Sequence, residues 1–266
     1  MVHNQSLISK LELLQLCNIA KNAGDEILRI YNNNDVNISV KPDDTPVTDA
    51  DIASHNEIVK GLTSNFSQFP IMSEEANIAD WEQRKLWQTY WLIDPLDGTK
   101  EFIAKNGEFT VNIALIHEGQ PIAGVVYAPA LNKNFYGARN IGAWVETEGD
   151  IQTLPVNTQS NQHLTVVGSR SHPSPQLQEY LTQFDDYQLT SVGSSLKFCL
   201  LAEGIADLYP RLGPTHEWDT AAGQAVLEAA GGKVTEFNST TPLRCNQKPS
   251  TLNPFFLATA KDIELK

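Results

Sequence analysis

Residues 91–99 read WLIDPLDGT, in which two carboxylates, Asp94 and Asp97, follow an apolar run and precede a glycine and a hydroxyl. The apolar letters are typical of the end of a buried strand, and Pro95 predicts a turn that lets both aspartates face one pocket. Magnesium prefers such oxygens, and backbone N–H groups after Asp97 can bind phosphate where a helix begins. Aspartate is also common in plain turns, because its side chain bonds the local backbone. The segment alone is therefore equally compatible with a metal site and a simple turn.

The composition is that of an ordinary globular protein. The chain has 266 residues, 41% apolar and 19% charged, so it can form one large domain or two packed ones. Its formal net charge of −13 repels phosphate backbones and argues against extended nucleic acid as a partner. A small anionic ligand would need bound metal or a few placed Lys and Arg side chains.

The three cysteines, Cys17, Cys199 and Cys245, are widely spaced and follow no ligand motif. Neither a disulfide framework nor a zinc site is expected, and this usage fits a reducing cytoplasm. The N-terminal segment lacks a signal-peptide pattern, and no run reaches the roughly 20 apolar residues that span a bilayer. We therefore expect a cytoplasmic protein without a transmembrane segment. Peripheral attachment to the cytoplasmic face of the inner membrane stays open, and a monomer and a homodimer are both compatible with the sequence.

Hydrophobic periodicity predicts the elements of the first part of the chain. A first helix is expected over 6–31, where Ser9 and Glu12 form the pattern of a capping box. A second helix is expected over 51–62. The predicted strands are an edge strand at 36–40, a strand at 70–73 and an antiparallel meander at 111–117, 122–127, 134–138 and 142–145.

The second part alternates between strands and helices, which is typical of an α/β unit. The predicted strands are 164–168, 187–191, 206–209 and 233–237, and the predicted helices are 175–184, 196–202 and 219–230. We place a boundary near residue 160. It divides the chain into an N-terminal α+β subdomain, residues 1–160, and a C-terminal α/β subdomain, residues 161–266.

Further acidic residues extend the pattern of the opening segment. Glu74 and Glu75 follow an apolar strand. Asp51 lies in the first turn of a predicted helix, and Asp219 begins another. By itself, each has an ordinary interpretation as a solvated loop residue, a solvated helix residue or a helix N-cap. Their occurrence in one chain with the paired aspartates of residues 94–97 favours a shared site.

Four segments together resemble the signatures of the inositol monophosphatase superfamily. In chain order they are PVTDAD at 46–51, SEE at 73–75, DPLDGT at 94–99 and WDTAAG at 218–223. The resemblance covers nearly the whole chain. It implies a mixed α+β and α/β fold, the layered αβαβα sandwich of the inositol monophosphatase and fructose-1,6-bisphosphatase type with two closely packed subdomains. It also implies a Mg²⁺-dependent, lithium-sensitive phosphatase.

Other segments resemble one branch of that superfamily, the bacterial CysQ-type 3'(2'),5'-bisphosphate nucleotidases. They are GTKEF at 98–102, where inositol phosphatases typically read GTTNF, NGEFTVNIA at 106–114, GSSLKFC at 193–199 and AEG at 202–204. The branch implies hydrolysis of the 3'-phosphate of adenosine 3',5'-bisphosphate to AMP and phosphate. It further implies activity on the sulfated form of this nucleotide and a role in sulfate assimilation.

The resemblance also implies which residues form the site. Two to three Mg²⁺ ions would be held by Glu74, Asp94, the carbonyl of Leu96, Asp97 and Asp219. Asp51, Glu74 and Thr99 would be catalytic, activating and orienting the attacking water. The backbone N–H groups of Gly98 and Thr99 would bind the phosphate. Because every ligand is an oxygen, the donor set suits magnesium and argues against zinc.

A bisphosphate nucleotide carries a second phosphate, so its pocket needs a cation beyond the metals. Lys197 and Arg211 are the candidates. The resemblance implies that Ser194, Lys197 and His172 contact the nucleotide, beside Asp219. Each also has an ordinary interpretation: a serine after glycine caps helices, an exposed lysine is usually solvated, and Ser-His-Pro is typical of a turn. On this interpretation the first subdomain holds metal and phosphate, and the second faces the nucleotide.

Two alternatives accompany this hypothesis. The first is an inositol monophosphatase or sugar-phosphate phosphatase that uses the same metal core. The second is a non-catalytic protein that senses phosphonucleotides, against which the presence of all expected ligands argues.

Overall fold

The computed structural model describes residues 7–33, 38–40, 46–157, 163–170 and 175–263. Within these ranges the helices are α1 (Lys10–Tyr31), α2 (Asp49–Asn65), α3 (Trp81–Arg84), α4 (Thr99–Ile103), α5 (Pro175–Leu181), α6 (Leu196–Glu203) and α7 (Glu217–Ala229). The strands are β1 (Ile38–Val40), β2 (Pro46–Thr48), β3 (Ile71–Ser73), β4 (Thr89–Asp97), β5 (Thr110–His117), β6 (Gln120–Ala128), β7 (Lys133–Ala138), β8 (Gly142–Thr147), β9 (Asp150–Thr153), β10 (Leu164–Ser169), β11 (Tyr187–Val192), β12 (Leu208–Arg211), β13 (Lys233–Glu236) and β14 (Phe256–Thr259).

The first large sheet contains, in the described part of the chain, seven strands in the order β3-β4-β5-β6-β7-β8-β9. The β3–β4 pair is parallel and the remaining pairs are antiparallel. The predicted meander is confirmed, and β9 extends it by a strand that periodicity did not indicate. Short β1 and β2 form a separate antiparallel pair.

The predicted turn at Pro95 is wrong, because β4 continues through it to Asp97. Asp94 pairs with Asn112 and Asp97 pairs with Thr110, so two residues of β4 lie opposite one residue of β5. This extra residue is a bulge. In a regular strand, residues three apart point to opposite faces; the bulge re-aims one of them, so both aspartates can serve the same site.

The second sheet has, among the described residues, five strands in the order β11-β10-β12-β14-β13. Strand β10 is parallel to β11 and β12, whereas β14 is antiparallel to both of its neighbours. The predicted strand at 206–209 is displaced, since β12 begins at Leu208. Strand β14 and the short helices α3 and α4 were not predicted.

The elements stack in five layers, which confirms the predicted αβαβα sandwich. Helices α1 and α2 pack on one face of the seven-stranded sheet, and α6 and α7 lie on its other face. Helix α6 also contacts the five-stranded sheet, whose inner face presents Val167, Tyr209 and Phe256. The adjacent residues Val166 and Leu208 point the other way, as strand alternation requires, and pack with α5. Most of the core therefore lies on either side of the seven-stranded sheet.

Capping boxes define the starts of the first two long helices. Ser9 and Glu12 form the predicted box, so α1 begins at Lys10. Thr48 and Asp51 form a second box, so α2 begins at Asp49, two residues before the predicted start. Residue 160, the predicted subdomain boundary, lies outside the described residues. Within the described ranges, none of the helices combines the length and the apolar character required to cross a bilayer.

Candidate active site

A cavity of about 830 Å³ contains most of the predicted site residues. Its lining includes the carboxylate residues Glu74, Asp94, Asp97 and Asp219, the residues Leu96, Gly98 and Thr99 at the passage from β4 into α4, and Ser194, Lys197 and Arg211. Loops after β12 and before β14 complete the wall. The bulge in β4, the end of β3 and the first turn of α7 thus meet at one place.

Three carboxylates converge most closely. Glu74, Asp94 and Asp219 each offer an oxygen, and these oxygens lie within 4.8 Å of one another. The Glu74 backbone N–H donates to the Ile93 carbonyl at 3.2 Å, which ties the end of β3 to β4. Asp219 Oδ2 accepts from the His216 backbone N–H at 2.8 Å. His216, and not Asp219, is therefore the N-cap of α7; Asp219 is the third helical residue, and its carboxylate completes the capping box while belonging to the carboxylate group.

The electrostatics of this group favour a bound cation. Burial raises the pKa of Asp94 well above its ordinary value, and the charges of Glu74 and Asp97 raise it further. The pKa of Asp219 is likewise raised by burial and then by Asp97 and Glu74. Burial also raises the pKa of Asp97, although Lys197 opposes this effect. A group of crowded, all-oxygen donors that resist ionisation together fits a hard divalent cation.

A second pair lies beside this group. Asp51 is 1% exposed, and its Oδ1 accepts from Thr99 Oγ1 at 3.2 Å. Its Oδ2 accepts from the backbone N–H and the Oγ1 of Thr48, both at 2.7 Å. Burial raises the pKa of Asp51, against the effect of the Thr48 hydrogen bonds. The capping box of α2 therefore holds Asp51 in contact with Thr99.

Gly98 adopts a conformation that few other residues tolerate. Its φ is +93°, and a Cβ there would lie 3.2 Å from the Glu108 carbonyl oxygen. It forms the N-cap of α4, which begins at Thr99. The predicted phosphate-binding N–H groups thus lie at a tight turn from strand into helix.

Three residues that were predicted to contact the nucleotide, Ser194, Lys197 and Arg211, also line the cavity. Lys197 Nζ donates to the Ser194 carbonyl at 2.6 Å, and burial lowers the pKa of this lysine to about 8. Ser194 has a φ of +46°, and its buried Oγ has no hydrogen-bond partner among the described residues. Arg211 Nη2 donates to the Pro214 carbonyl at 2.7 Å. His172 lies outside the described residues.

The comparisons with known proteins agree with this geometry. A model of the inositol monophosphatase family matches residues 10–261. The chain belongs to the inositol monophosphatase family. It is 51% identical over 248 residues to the 3'(2'),5'-bisphosphate nucleotidase CysQ of Salmonella typhimurium, covering 93% of this chain and 99% of that protein. It is 34% identical to the nucleotidase of the same name from Haemophilus influenzae, covering 92% of this chain and 91% of the relative.

Solved structures of the inositol monophosphatase family have the same architecture. The crystal structure of CysQ from Bacteroides thetaiotaomicron aligns with a TM-score of 0.85 at 39% identity, covering 97% of this chain and all of that one. Inositol monophosphatase from Anabaena aligns with a TM-score of 0.72 at 29% identity, covering 94% of this chain and 91% of that one. The family is metal-dependent, which agrees with the carboxylate group of this chain.

Several residues around this site were not chosen as candidates from the sequence. Glu108 accepts two hydrogen bonds from Arg170, each at 2.7 Å, and one from the Gly193 N–H at 2.8 Å, which fixes the loop before α6. Asn112 donates to the Asp97 carboxylate and to Ser195 Oγ, and Ser195 Oγ donates to the backbone carbonyl of Asp219. Glu108, Asn112 and Ser195 lie within the quoted segments 106–114 and 193–199, but nothing in those segments indicates their hydrogen-bond partners, which are distant in sequence. Thr48 is different: its spacing of three from Asp51 is a capping-box signal that could have been read.

Proposed function

We propose that this chain is a Mg²⁺-dependent 3'(2'),5'-bisphosphate nucleotidase that converts adenosine 3',5'-bisphosphate to AMP and phosphate. The sulfated form of this nucleotide would be a second substrate. The observation that carries the proposal is a cavity lined by clustered carboxylates and by the cationic side chains Lys197 and Arg211. The nucleotidase relatives described above support the same substrate class. The buried, unpaired cysteines support a cytoplasmic location.

The proposed metal ligands form two groups. Glu74 and Asp94, with the Leu96 carbonyl and Asp97, would hold the first ions. Asp219 would complete a second position. When bound, two or three Mg²⁺ ions would neutralise phosphate oxygens and lower the pKa of a water. We expect millimolar Li⁺ to compete with one of these ions and to lower the rate.

Thr99 and Asp51 are the chain's own proton-handling pair. The Thr99 hydroxyl donates its hydrogen bond to Asp51 Oδ1, so Thr99 Oγ1 can accept a hydrogen bond from a water in the cavity. A proton that leaves this water can pass through Thr99 Oγ1 to Asp51 Oδ1, whose raised pKa suits a proton acceptor. Glu74, which also lines the cavity, would orient the same water.

The cationic side of the cavity would select the substrate. Net charge −13 repels a bisphosphate at long range, so recognition requires local positive charge. Lys197 and Arg211 supply it, and Ser194 has a buried hydroxyl without a partner among the described residues. We propose that these three residues, together with His172, hold the nucleotide beside Asp219.

Parallel phosphate-release assays test the proposal. Purified protein with Mg²⁺ should hydrolyse adenosine 3',5'-bisphosphate faster than inositol 1-phosphate or a sugar phosphate. A preference for inositol 1-phosphate would instead assign the chain to the inositol phosphatases. Binding of the nucleotide without release of phosphate would favour a sensor. For an enzyme, Asp94→Asn should abolish turnover, whereas for a sensor it should change binding alone.

A further inference from the structure

Two buried polar side chains, which the proposed chemistry does not use, connect the two parts of the carboxylate site. Asn112 lies on β5 and Ser195 immediately precedes α6; they are 0% and 1% exposed. Asn112 Nδ2 donates to Ser195 Oγ at 2.9 Å and to Asp97 Oδ2 at 3.4 Å. Ser195 Oγ donates to the Asp219 carbonyl at 2.7 Å. A continuous chain of hydrogen bonds therefore runs from Asp97 to Asp219.

Donor and acceptor chemistry fixes the direction of this chain. Thr110 Oγ1 donates to Asn112 Oδ1 at 3.0 Å, which leaves the Nδ2 protons for Asp97 and Ser195. The reverse orientation of the amide would set its oxygen against the Asp97 carboxylate, and two acceptors cannot pair. Ser195 accepts from the amide, so its own proton is directed to the first turn of α7.

This chain of hydrogen bonds connects β4 and α7 where they carry two aspartates that repel each other. Asp97 ends β4 and Asp219 lies in the first turn of α7, and burial strengthens the repulsion between their negative charges. Neutral donors can hold both elements without adding charge. The β4–β5 register supports the same role. Asn112 lies directly opposite Asp94, and Thr110, two residues earlier on β5, lies opposite Asp97.

We propose that Asn112 and Ser195 are positioning residues that set the separation of Asp97 and Asp219 and thereby the affinity for a cation held between β4 and α7. The inference rests on the metal role proposed for these two aspartates. Loss of an outer-shell partner typically lowers metal affinity 10–100-fold. Ser195→Ala and Asn112→Ala should each have an effect of roughly that size, and the double variant should lose less than the product of the two.

The test is calorimetric titration of Mg²⁺ into metal-free protein, with thermal unfolding to verify folding. Ser195→Thr keeps the hydroxyl and should retain more affinity than Ser195→Ala. Asn134→Ala, at a buried asparagine on β7, is the matched control and should bind Mg²⁺ like the wild type. In assays, saturating Mg²⁺ should restore kcat of Ser195→Ala, which a general packing defect would not permit.

Two results would overturn the inference, and they have different meanings. If Ser195→Ala and Asn112→Ala bind Mg²⁺ with wild-type affinity, the positioning role is wrong and the proposed function is untouched. If the wild-type protein binds no Mg²⁺, the metal role of the aspartates fails and this inference fails with it.

Discussion

Asp94 is the residue at which stability and chemistry conflict most directly. It is 1% exposed and shares its surroundings with Glu74, Asp97 and Asp219. Burying several carboxylates together is unfavourable unless they are protonated or a cation neutralises them. Functional groups of this kind are therefore expected to lower the stability of the metal-free protein.

Asp94→Asn should separate these two effects. Without metal, the variant should unfold at a higher temperature than the wild type, because one of the mutually repelling charges is gone. With Mg²⁺, the wild type should gain stability by mass action and the variant should gain much less. Its rate should fall by more than the roughly 10–100-fold typical of losing an outer-shell partner. Thermal unfolding with EDTA or Mg²⁺, beside phosphate-release assays, measures both.

Asp150→Asn is the control for this experiment, since Asp150 is exposed on β9. It should behave like the wild type in every condition. A metal-free Asp94→Asn protein that unfolds at a lower temperature than the wild type would contradict the proposed repulsion.

Gly98 gives a second prediction at this scale. Gly98→Ala places a Cβ on a residue with φ +93° and 3.2 Å from the Glu108 carbonyl oxygen. Gly149→Ala is a matched control, because Gly149 has φ +91° with no atom within 4 Å of the added Cβ. Both variants should lose about 1–2 kcal/mol of unfolding free energy from the left-handed conformation. Gly98→Ala should lose more in urea unfolding and should also lose activity; equal losses and normal activity would refute the close contact.

At the scale of elements, two capping boxes perform different tasks with the same chemistry. Ser9 and Glu12 begin α1 far from the cavity, whereas Thr48 and Asp51 begin α2 and hold Asp51 against Thr99. An N-cap contributes about 1 kcal/mol wherever it occurs. The second box therefore combines an ordinary structural role with the catalytic role proposed for Asp51.

Thr48→Ala and Ser9→Ala should therefore be alike in stability and unlike in activity. Each should lose about 1 kcal/mol of unfolding free energy. Only Thr48→Ala removes a hydrogen bond from Asp51, the one that Thr48 Oγ1 donates, so only this variant should have a lower kcat and an altered pH–rate profile. Urea unfolding and pH–rate profiles of both variants test this expectation. A normal kcat in Thr48→Ala would mean that the capping box does not orient Asp51.

Element types were more predictable from sequence than the details that form the site. The strong period-3.6 and period-2 patterns predicted both long N-terminal helices and the meander correctly. The bulge in β4 was missed, because proline after aspartate is a turn signal and only pairing with β5 keeps the strand extended. Strand β14 was missed because a short strand is specified by its neighbours more than by its own letters.

The site residues, like the elements, were predictable only in part. Aspartates and glutamates could be chosen as candidates because their chemistry is rare in apolar surroundings and their motifs occur in order. Asn112 and Ser195 could not, since the hydrogen bond between them joins residues 83 positions apart. The roles of all these site residues stay predictions, and His172 lies outside the described residues.

At the scale of the whole molecule, the middle helical layer joins the two sheets. Helix α6 belongs to the second part of the chain, and its last residue, Glu203, forms an ion pair with Lys133 of β7 at 3.2 Å. Glu203 is 6% exposed. Burial raises its pKa, an effect that the Lys133 ion pair only partly offsets.

This pKa shift predicts a pH dependence of global stability. A carboxyl with a raised pKa in the folded state contributes stability that is complete below its unfolded pKa and lost as pH rises through the folded pKa. The unfolding free energy of Glu203→Gln, minus that of the wild type, should therefore increase as pH rises from about 4.5. Urea unfolding of both proteins across this range measures the difference; a constant or decreasing value would contradict the shift.

The position of β14 has a consequence for biosynthesis. This strand is formed by residues 256–259, yet it lies between β12 and β13 and bonds to both. A ribosome delivers residues in order, so β12 and β13 emerge with facing edges that nothing yet covers. Unpaired edges are where chains aggregate. The five-stranded sheet therefore closes after residue 259 has been released, and proteolytic trimming upstream of Phe256 would leave both edges permanently open.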